Sequence, residues 1–236
     1  MITIPNRSIF TVVLWAALTA TTADVSAQAI FAHNDYVKPN PFFGAFELKA
    51  EYIEADIFLE SGALLVAHTK TELDPSKTLE SMYLEPLSEK LEDIYGLHLM
   101  IDIKTDGAPA LSELVNVLEK FPELIACKKL YFTISGNYPA PSEWKNYPAF
   151  IWFDGRPNIA YTKDQVDRLK LVSTSYAGNE SRMKEVIDFA HSLNKPVRFW
   201  ASPDNKEGWE QFIKAGVDIL NTDNPEAARN YILTLR

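Results

Sequence analysis

Short apolar runs alternate along the chain with segments whose apolar residues recur at helical spacing. From residue 30 onward, eight runs have the length of a β-strand. The runs span Ile30–Ala32, Tyr52–Leu59, Leu97–Ile103, Leu130–Ser135, Phe150–Phe153, Leu169–Ser175, Val197–Ala201 and Ile219–Thr222. The helix-like segments span Pro41–Lys49, Thr78–Tyr95, Ala110–Lys120, Pro141–Tyr147, Thr162–Arg168, Ser181–Leu193, Lys206–Ala215 and Glu226–Leu233. Strands that alternate with helices predict an α/β fold with a parallel sheet.

The number of strands favours a single, small (β/α)8 TIM barrel. An open, doubly wound sheet is the alternative, but no Gly-rich phosphate loop follows the first run. The chain after residue 30 shows no internal repeat and no linker. We therefore predict one barrel domain over residues 30–236, with a hairpin excursion after the second strand.

Two carboxylates share one face of the second predicted strand. Residues two apart in a strand point to the same side, so Glu54 and Asp56 project together. Like charges side by side are costly unless a cation or a proton lies between them. The segment Glu60–Gly62 suits a three-residue hairpin turn with a left-handed glycine, which would pair His68 with Glu54 on this face. A two-residue turn would instead direct His68 to the other face.

The third predicted strand adds a third carboxylate, Asp102, with Lys104 on the same face. Active sites of barrels lie at the carboxyl ends of the strands, so Asp102 is expected near Glu54 and Asp56. Three carboxylates, completed by water and substrate oxygens, suit Mg²⁺ or Ca²⁺ rather than zinc. We interpret them as metal ligands, with Lys104 facing a negatively charged substrate. The alternative is a structural salt-bridge network.

His33 and His68 are the natural proton carriers beside this acidic set. His98 would lie at the bottom of the barrel and His191 on a helix, so both are interpreted as structural. Trp200, at the end of the seventh run, is either a substrate contact or a packing residue.

The polar residues that follow the first and last runs are less specific. Asp35 and Tyr36 either support the site from behind or cap their loop. The segment Thr222–Pro225 is compatible with a plain helix start in which Asp223 or Asn224 is the cap.

Composition limits the class of partner. The formal net charge of −9 argues against nucleic acid or an anionic membrane surface. Because the protein is acidic, an anionic substrate would need a bound cation in order to bind. The single cysteine, Cys127, excludes an intramolecular disulfide.

Residues 1–29 have the pattern of a secretory signal peptide. Arg7 precedes the apolar run Ile9–Ala20, and Ala27-Gln28-Ala29 matches the small-x-small cleavage motif. The run is short for a bilayer span, so cleavage after Ala29 is expected rather than a retained anchor. This predicts a periplasmic or secreted protein without a stable membrane anchor.

These motifs resemble the PLC-like phosphodiesterase superfamily. Its pattern consists of a histidine near the end of the first strand, Glu-x-Asp on the second strand, and then a glycine followed by a returning strand that ends in histidine. The superfamily includes glycerophosphodiester phosphodiesterases, phosphatidylinositol-specific phospholipases C and spider-venom sphingomyelinase D. The segments His33–Tyr36, Tyr52–Leu59 and Leu73–Leu87 are most similar to the glycerophosphodiesterase-like group that includes the fungal altered-inheritance-of-mitochondria protein. The resemblance is specific over about Phe31–Leu87 and Leu99–Lys104.

The resemblance implies a (β/α)8 barrel with His33 and His68 as the acid–base pair. It also implies that the ligands of a divalent cation, Ca²⁺ or Mg²⁺, are Glu54, Asp56 and Asp102, followed by the matching lysine Lys104. One departure concerns His33-Asn34-Asp35, where many glycerophosphodiesterases have His-Arg-Gly. The missing arginine removes a phosphate-binding charge, which Lys104, Arg156 or the metal would have to replace.

The expected function is hydrolysis of a glycerophosphodiester or a phospholipid-like phosphodiester, small or lipidic. His33 is expected to act as the base and His68 as the acid, with Asn34, Lys104 and Trp200 contacting the substrate and Asp35 supporting them from behind. One alternative is a non-catalytic barrel that binds a phosphodiester or a polyol. The other is a glycoside hydrolase, although its two carboxyl groups would come from separate strands and its activity would survive chelation.

Overall fold

The computed structural model describes residues 28–235. The predicted signal peptide therefore lies outside the described residues except for Gln28 and Ala29. Gln28 is buried, and its side-chain amide donates a hydrogen bond of 2.9 Å to the carbonyl of Val217. Gln28 and Ala29 therefore belong to the folded part of the chain. Among the described residues, no helix has the length and apolar character needed to cross a bilayer.

Eight parallel strands form the closed barrel that the sequence predicts. Among the described residues there are nine strands, the eight of the barrel and the antiparallel β3: β1 (Ala29–Ala32), β2 (Tyr52–Glu60), β3 (Ala63–Val66), β4 (Leu97–Ile103), β5 (Leu130–Gly136), β6 (Ile151–Gly155), β7 (Leu169–Ser175), β8 (Val197–Trp200) and β9 (Ile219–Thr222). The barrel order is β1-β9-β8-β7-β6-β5-β4-β2, and β1 pairs with β2 to close it. The additional strand β3 is antiparallel to β2 and forms the predicted hairpin.

Helices surround the barrel. The α-helices are α1 (Phe43–Glu47), α2 (Glu85–Glu89), α3 (Gly107–Leu118), α4 (Pro122–Ala126), α5 (Lys163–Val166), α6 (Glu180–Ser192), α7 (Lys206–Ala215) and α8 (Pro225–Leu233). Short 3₁₀ turns occur at Asp35–Val37, Lys70–Glu72, Leu91–Asp93 and Pro141–Asn146, and a π-helical turn at Glu80–Leu84.

The segment Thr78–Tyr95, predicted as one helix, is divided into three short pieces. Pro86 lies in the second piece, where it has no N–H to donate and its ring crowds the preceding turn. The widened turn Glu80–Leu84 directly before it accommodates this ring. The helix α4 has no counterpart among the predicted segments.

The hairpin differs in register from the prediction. Its turn has two residues, Ser61 and Gly62, with φ angles of 52° and 81°. Two left-handed residues match the twist of a tight hairpin, so the ladder is offset by one residue and the predicted pairing of His68 with Glu54 is wrong. His68 still reaches the acidic face, because β3 ends at Val66 and the chain leaves the sheet before the histidine.

The side chains that point into the barrel change from apolar to polar toward the carboxyl ends of the strands, the end called the mouth here. A buried apolar cluster fills the lower interior and comprises Phe31, Tyr52, Met100, Leu171 and Ile219. Two positions further along the same strands lie His33, Glu54, Asp102, Ser173 and Asn221. Because residues two apart share a face, the apolar cluster forms a floor beneath the polar residues of the mouth.

The two histidines interpreted as structural lie away from the mouth. His98 stacks at the bottom of the barrel between Tyr52 and Tyr131, with ring centroids 4.3 and 4.7 Å away. Burial lowers the pKa of His98 to about 3, so the ring is neutral. His191, on α6, lies 2.9 Å from the Asp218 carboxylate at the outer surface.

Candidate active site at the mouth of the barrel

Three carboxylates meet at the mouth between β2 and β4. Asp56 and Asp102 are register partners across these strands, and Glu54 lies two residues before Asp56 on the same face. One oxygen from each of the three carboxyl groups lies within 4.8 Å of the others. Glu54 and Asp56 are 5% and 1% exposed, so their charges are largely withdrawn from water. The structure thus brings together the predicted acidic cluster.

Lys104 neutralises part of this acidic cluster. Its Nζ lies 2.9 Å from Asp56 Oδ2 and 3.0 Å from Asp102 Oδ1. Burial, followed by repulsion from Glu54, nevertheless raises the pKa of Asp56 to about 6. Burial alone would lower the pKa of Lys104, but Asp102 and Asp56 together raise it. The lysine is therefore a fixed positive charge beside two carboxylates.

The acidic cluster meets the requirements of a hard divalent cation. Asp56 Oδ1 is buried and has no hydrogen-bond partner among the described residues. Gly136 faces Asp102, because a Cβ at this glycine would lie 2.4 Å from Asp102 Oδ1. Carboxylate oxygens in this number are typical ligands of Mg²⁺ and Ca²⁺. The residues present therefore fit such a cation.

His33 lies between two carboxylates at the end of β1. Its Nδ1 is 3.0 Å from Asp223 Oδ1, and its Nε2 is 3.7 Å from Glu54 Oε2. Nδ1 also lies 3.0 Å from the side-chain amide of Asn34, which itself donates to Asp223. Since a carboxylate only accepts hydrogen bonds, we assign the hydrogen of His33 to Nδ1, which donates to Asp223. The lone pair of Nε2 then faces the acidic cluster, as a general base requires.

Tyr36 connects His68 to the acidic cluster. Its hydroxyl lies 2.6 Å from Asp56 Oδ2 and 2.9 Å from His68 Nδ1. Burial, followed by the bond to Asp56, raises the pKa of Tyr36 far above its usual value, so the hydroxyl keeps its hydrogen. The hydroxyl donates to Asp56 and its oxygen accepts from His68 Nδ1. This leaves Nε2 of the half-exposed His68 free to exchange a proton.

Asn34 orients other residues of the site. It has a left-handed backbone with φ 51°, and its N–H donates to Glu54 Oε2 at 2.8 Å. Its side-chain amide donates to Asp223 Oδ1 at 3.1 Å. These contacts fix Asn34 to Glu54 and Asp223, the two carboxylates that flank His33. The contact of Asn34 with a substrate stays a prediction.

Asp35 points away from the mouth into the protein. Its Oδ2 accepts from the N–H of Phe42 at 2.6 Å and from the hydroxyl of Tyr83 at 3.0 Å. The Tyr83 hydroxyl also lies 3.2 Å from the Glu54 carbonyl, so Asp35 is connected to β2 through Tyr83. Burial raises the pKa of Asp35 to about 6.

Trp200 and Arg156 lie at the mouth on other strands. Trp200 ends β8 and is 41% exposed, so its side chain is available there. Arg156 follows β6, and its Nη1 lies 2.6 Å from Asp154 Oδ2. The hydroxyls of Ser135 and Ser173 donate to the same oxygen of Asp154. The positive charge of Arg156 is therefore compensated within the protein.

A cavity of about 470 Å³ opens beside His68. Tyr36 and His68 form its wall nearest the acidic cluster, and its remaining lining includes Val66, Met82, Lys38 and Lys77. The cavity combines an apolar part with two lysines and Glu72 next to a candidate proton donor.

Three residues contribute more than the sequence alone indicated: Tyr36, Asp223 and Arg198. Tyr36 and Asp223 lie in loops after strands, where their positions were compatible with capping. Arg198 is a charged residue inside the apolar run Val197–Ala201, which was the available signal, and it lies 4.0 Å from Glu54 Oε1. Their roles depend on contacts between distant parts of the chain.

Sequence comparisons match both ends of the barrel. The AIM6-like phosphodiesterase domain matches residues 19–96, and the glycerophosphoryl diester phosphodiesterase family matches residues 196–226. An altered inheritance of mitochondria protein 6 homolog from Arthroderma benhamiae is 25% identical over 90% of this chain and 86% of its own length. The altered inheritance of mitochondria protein 6 from Eremothecium gossypii is 32% identical over 34% of this chain and 21% of its own length.

Solved structures share the fold. A glycerophosphodiester phosphodiesterase from Parabacteroides distasonis has a TM-score of 0.62 at 15% identity, covering 89% of this chain and 98% of its own. A putative glycerophosphodiester phosphodiesterase from Galdieria sulphuraria has a TM-score of 0.64 at 15% identity, covering 89% of this chain and 100% of its own. The sequence matches at both ends of the barrel thus make the chain similar to the AIM6-like phosphodiesterase domain and to the glycerophosphoryl diester phosphodiesterase family, and the solved structures show that it shares the fold of such enzymes.

Proposed function

We propose that this protein is a divalent-cation-dependent phosphodiesterase that hydrolyses a glycerophosphodiester or a phospholipid-like phosphodiester. The observation that carries the proposal is the acidic cluster of Glu54, Asp56 and Asp102, flanked by His33 on one side and His68 on the other. The family relationship supports a phosphodiesterase-type hydrolase.

The acidic cluster would hold a Ca²⁺ or Mg²⁺ ion, which supplies positive charge for a phosphoryl oxygen when it is bound. His33 Nε2 takes the proton of the attacking hydroxyl, which belongs to water or to a neighbouring group of the substrate. Asp223 stabilises the resulting imidazolium through Nδ1. As the new P–O bond forms, the bond from phosphorus to the leaving alcohol breaks.

The leaving alkoxide receives its proton from His68. Tyr36 holds this imidazole through Nδ1, so Nε2 is the nitrogen that donates. The alcohol must then lie against His68, and the cavity beside that residue provides about 470 Å³ for it. Lys104 holds two of the carboxylates in place and adds positive charge where the phosphate would bind.

Export is part of the proposal. The pattern of residues 1–29 supports delivery to the periplasm or the exterior, where the substrate would be a soluble or lipidic phosphodiester. The acidic net charge of −9 disfavours nucleic acid as that substrate.

Phosphorus NMR of the folded protein tests the reaction. Glycerophosphodiesters, lysophospholipids and phosphoinositides are supplied with Ca²⁺ or Mg²⁺, and then with a chelator. New phosphomonoester or cyclic phosphate signals that require the cation are expected, and an Asp56→Asn variant should produce none. A cation-loaded protein that leaves every diester intact would contradict the proposal and favour a barrel that binds without turnover. Signals that persist in chelator would contradict the metal-dependent mechanism.

A further inference from the structure

We propose that Arg198 supplies the positive charge that lets the cation-loaded site bind an anionic diester, and that it weakens cation binding by the same charge. This inference rests on the proposed function. Arg198 lies on the inner face of β8, two residues before Trp200, and is 3% exposed. It is one of the polar residues that rise above the apolar floor of the barrel.

The guanidinium of Arg198 has unused hydrogen-bonding capacity. Its Nε and Nη1 are buried and have no hydrogen-bond partner among the described residues. Its Cζ lies 3.7 Å from the centre of the Phe31 ring, so the planar group rests on an aromatic face. This cation–π contact provides support from one side only. A buried charge with unpaired donors destabilises the folded protein unless an opposite charge or a bound ligand lies close to it.

The charged group nearest to Arg198 is Glu54, whose Oε1 lies 4.0 Å from Nη1. Lys104 contacts Asp56 and Asp102. The two basic residues therefore divide the acidic cluster between them. Arg198 acts on the carboxylate that the lysine does not contact.

The balance of formal charge gives Arg198 a consequence for ligands. Three carboxylates with Lys104 and Arg198 carry a net charge of −1, which attracts a divalent cation. After a divalent cation binds, the same group carries a net charge of +1, which complements the single negative charge of a phosphodiester. Without Arg198 the loaded group would be neutral.

Arg156, which also lies at the mouth, is a weaker source of this positive charge, because it is paired with Asp154 at 2.6 Å. Arg198 has no such hydrogen-bonded partner, so its charge remains directed at the acidic cluster.

The test measures two affinities of the full-length folded protein, without requiring turnover. Ca²⁺ is titrated into metal-free protein by calorimetry, and dimethyl phosphate is then titrated into the Ca²⁺-saturated protein. In Arg198→Met, we expect Ca²⁺ to bind about tenfold more tightly, because a unit charge a few ångströms away has this effect even at the dielectric constant of water. Dimethyl phosphate should bind about tenfold more weakly.

Two further variants separate charge from structure. Arg198→Lys keeps the charge but loses the planar group that rests on Phe31, so both affinities should lie closer to those of the wild type than to those of Arg198→Met. Arg182→Met removes an exposed arginine on α6 and should change neither affinity. If Arg198→Met does not fold, Arg198→Gln takes its place in the same comparison.

The two affinities are expected to change in opposite directions, which a general loss of structure would not produce. Unchanged affinities in a folded neutral variant would overturn the role of Arg198 while leaving the proposed function intact. Weakening of both affinities would also overturn it and would indicate a purely structural residue. Wild-type protein that binds no Ca²⁺ or Mg²⁺ would instead contradict the proposed function.

Discussion

The Nδ1 atom of His33 lies 3.0 Å from Oδ1 of Asp223, although the two residues are 190 positions apart in the chain. β1 and β9 are neighbours in the closed barrel, so the residues that follow them meet at the mouth. The contact sets which nitrogen of His33 carries the hydrogen and leaves Nε2 facing Glu54. A histidine that the sequence marks as a proton carrier thus acquires its orientation from the last strand of the barrel.

Asp223→Asn should lower turnover because the amide no longer stabilises a protonated His33. Asp223 is half exposed and acts through His33, so we expect kcat to fall by about 10–100-fold. This loss is smaller than the roughly 100–10,000-fold contributed by a residue that transfers the proton itself. Steady-state kinetics on the diester identified by phosphorus NMR measure this loss. Asp167→Asn, which removes an exposed carboxylate paired with Lys163 on α5, should leave kcat unchanged. Equal kcat values for wild type and Asp223→Asn would refute the assigned role.

Tyr36→Phe should reduce both stability and activity, since the hydroxyl joins Asp56 to His68. Loss of these buried hydrogen bonds is expected to cost about 1–2 kcal/mol in the free energy of unfolding. Urea denaturation and steady-state kinetics measure the two effects. Tyr95→Phe is a matched control, because the Tyr95 hydroxyl donates to the Ala50 carbonyl away from the mouth. This control should lose stability but keep kcat, and equal kcat losses in both variants would contradict a specific role for Tyr36.

Asp56→Asn should abolish stabilisation by Ca²⁺ or Mg²⁺. A ligand that binds only the folded state raises the midpoint of thermal unfolding, so the loss of a carboxylate ligand removes this rise. Thermal unfolding with saturating cation and with chelator provides the measurement. Asp188→Asn, on the exposed surface of α6, should keep the full shift. A shift of wild-type size in Asp56→Asn would place the cation elsewhere.

Gly136→Ala should disturb the position of Asp102. The added Cβ would lie 2.4 Å from Asp102 Oδ1, and the glycine has a φ of 73°. We expect a loss of at least about 1 kcal/mol in stability together with weaker cation binding. Gly178→Ala has a similar φ of 67° with no atom within 4 Å, so it carries the backbone strain without the crowding. Cation affinity should therefore fall in Gly136→Ala and not in Gly178→Ala, and equal affinities would contradict the contact.

The raised pKa of Asp35 predicts a specific dependence of stability on pH. The carboxyl group titrates near pH 3.8 in the unfolded chain and near pH 6 in the folded protein, because it is buried. Between these values the folded state binds more protons, so the free energy of unfolding falls as pH rises from about 4 to 6. The contribution of Asp35 to this fall is expected to be about 1–3 kcal/mol.

Asp35→Asn retains an acceptor oxygen for Phe42 and Tyr83 but does not titrate. Urea unfolding in chelator at a series of pH values should show a smaller decline than in the wild type. Parallel stability curves for the two proteins would show that Asp35 does not titrate in this range.

Local patterns in the sequence were sufficient for the barrel, its strands and the acidic cluster. Alternation of strands with helices leaves few architectures, and a spacing of two residues places Glu54 with Asp56 on one face whatever surrounds them. Asp102 follows from the rule that the carboxyl ends of parallel strands meet at one end of a barrel.

The tertiary structure decided which residues orient the others. The hairpin register was predicted wrongly, because three-residue and two-residue turns both fit Glu60–Gly62 and differ by one step in pairing. Asp223, Tyr36 and Arg198 each act on a residue far away in the chain, so no local pattern reveals their partners. Periodicity is a property of neighbouring residues, whereas the contacts of His33, the tautomer of His68 and the charge beside Glu54 arise only when the barrel closes.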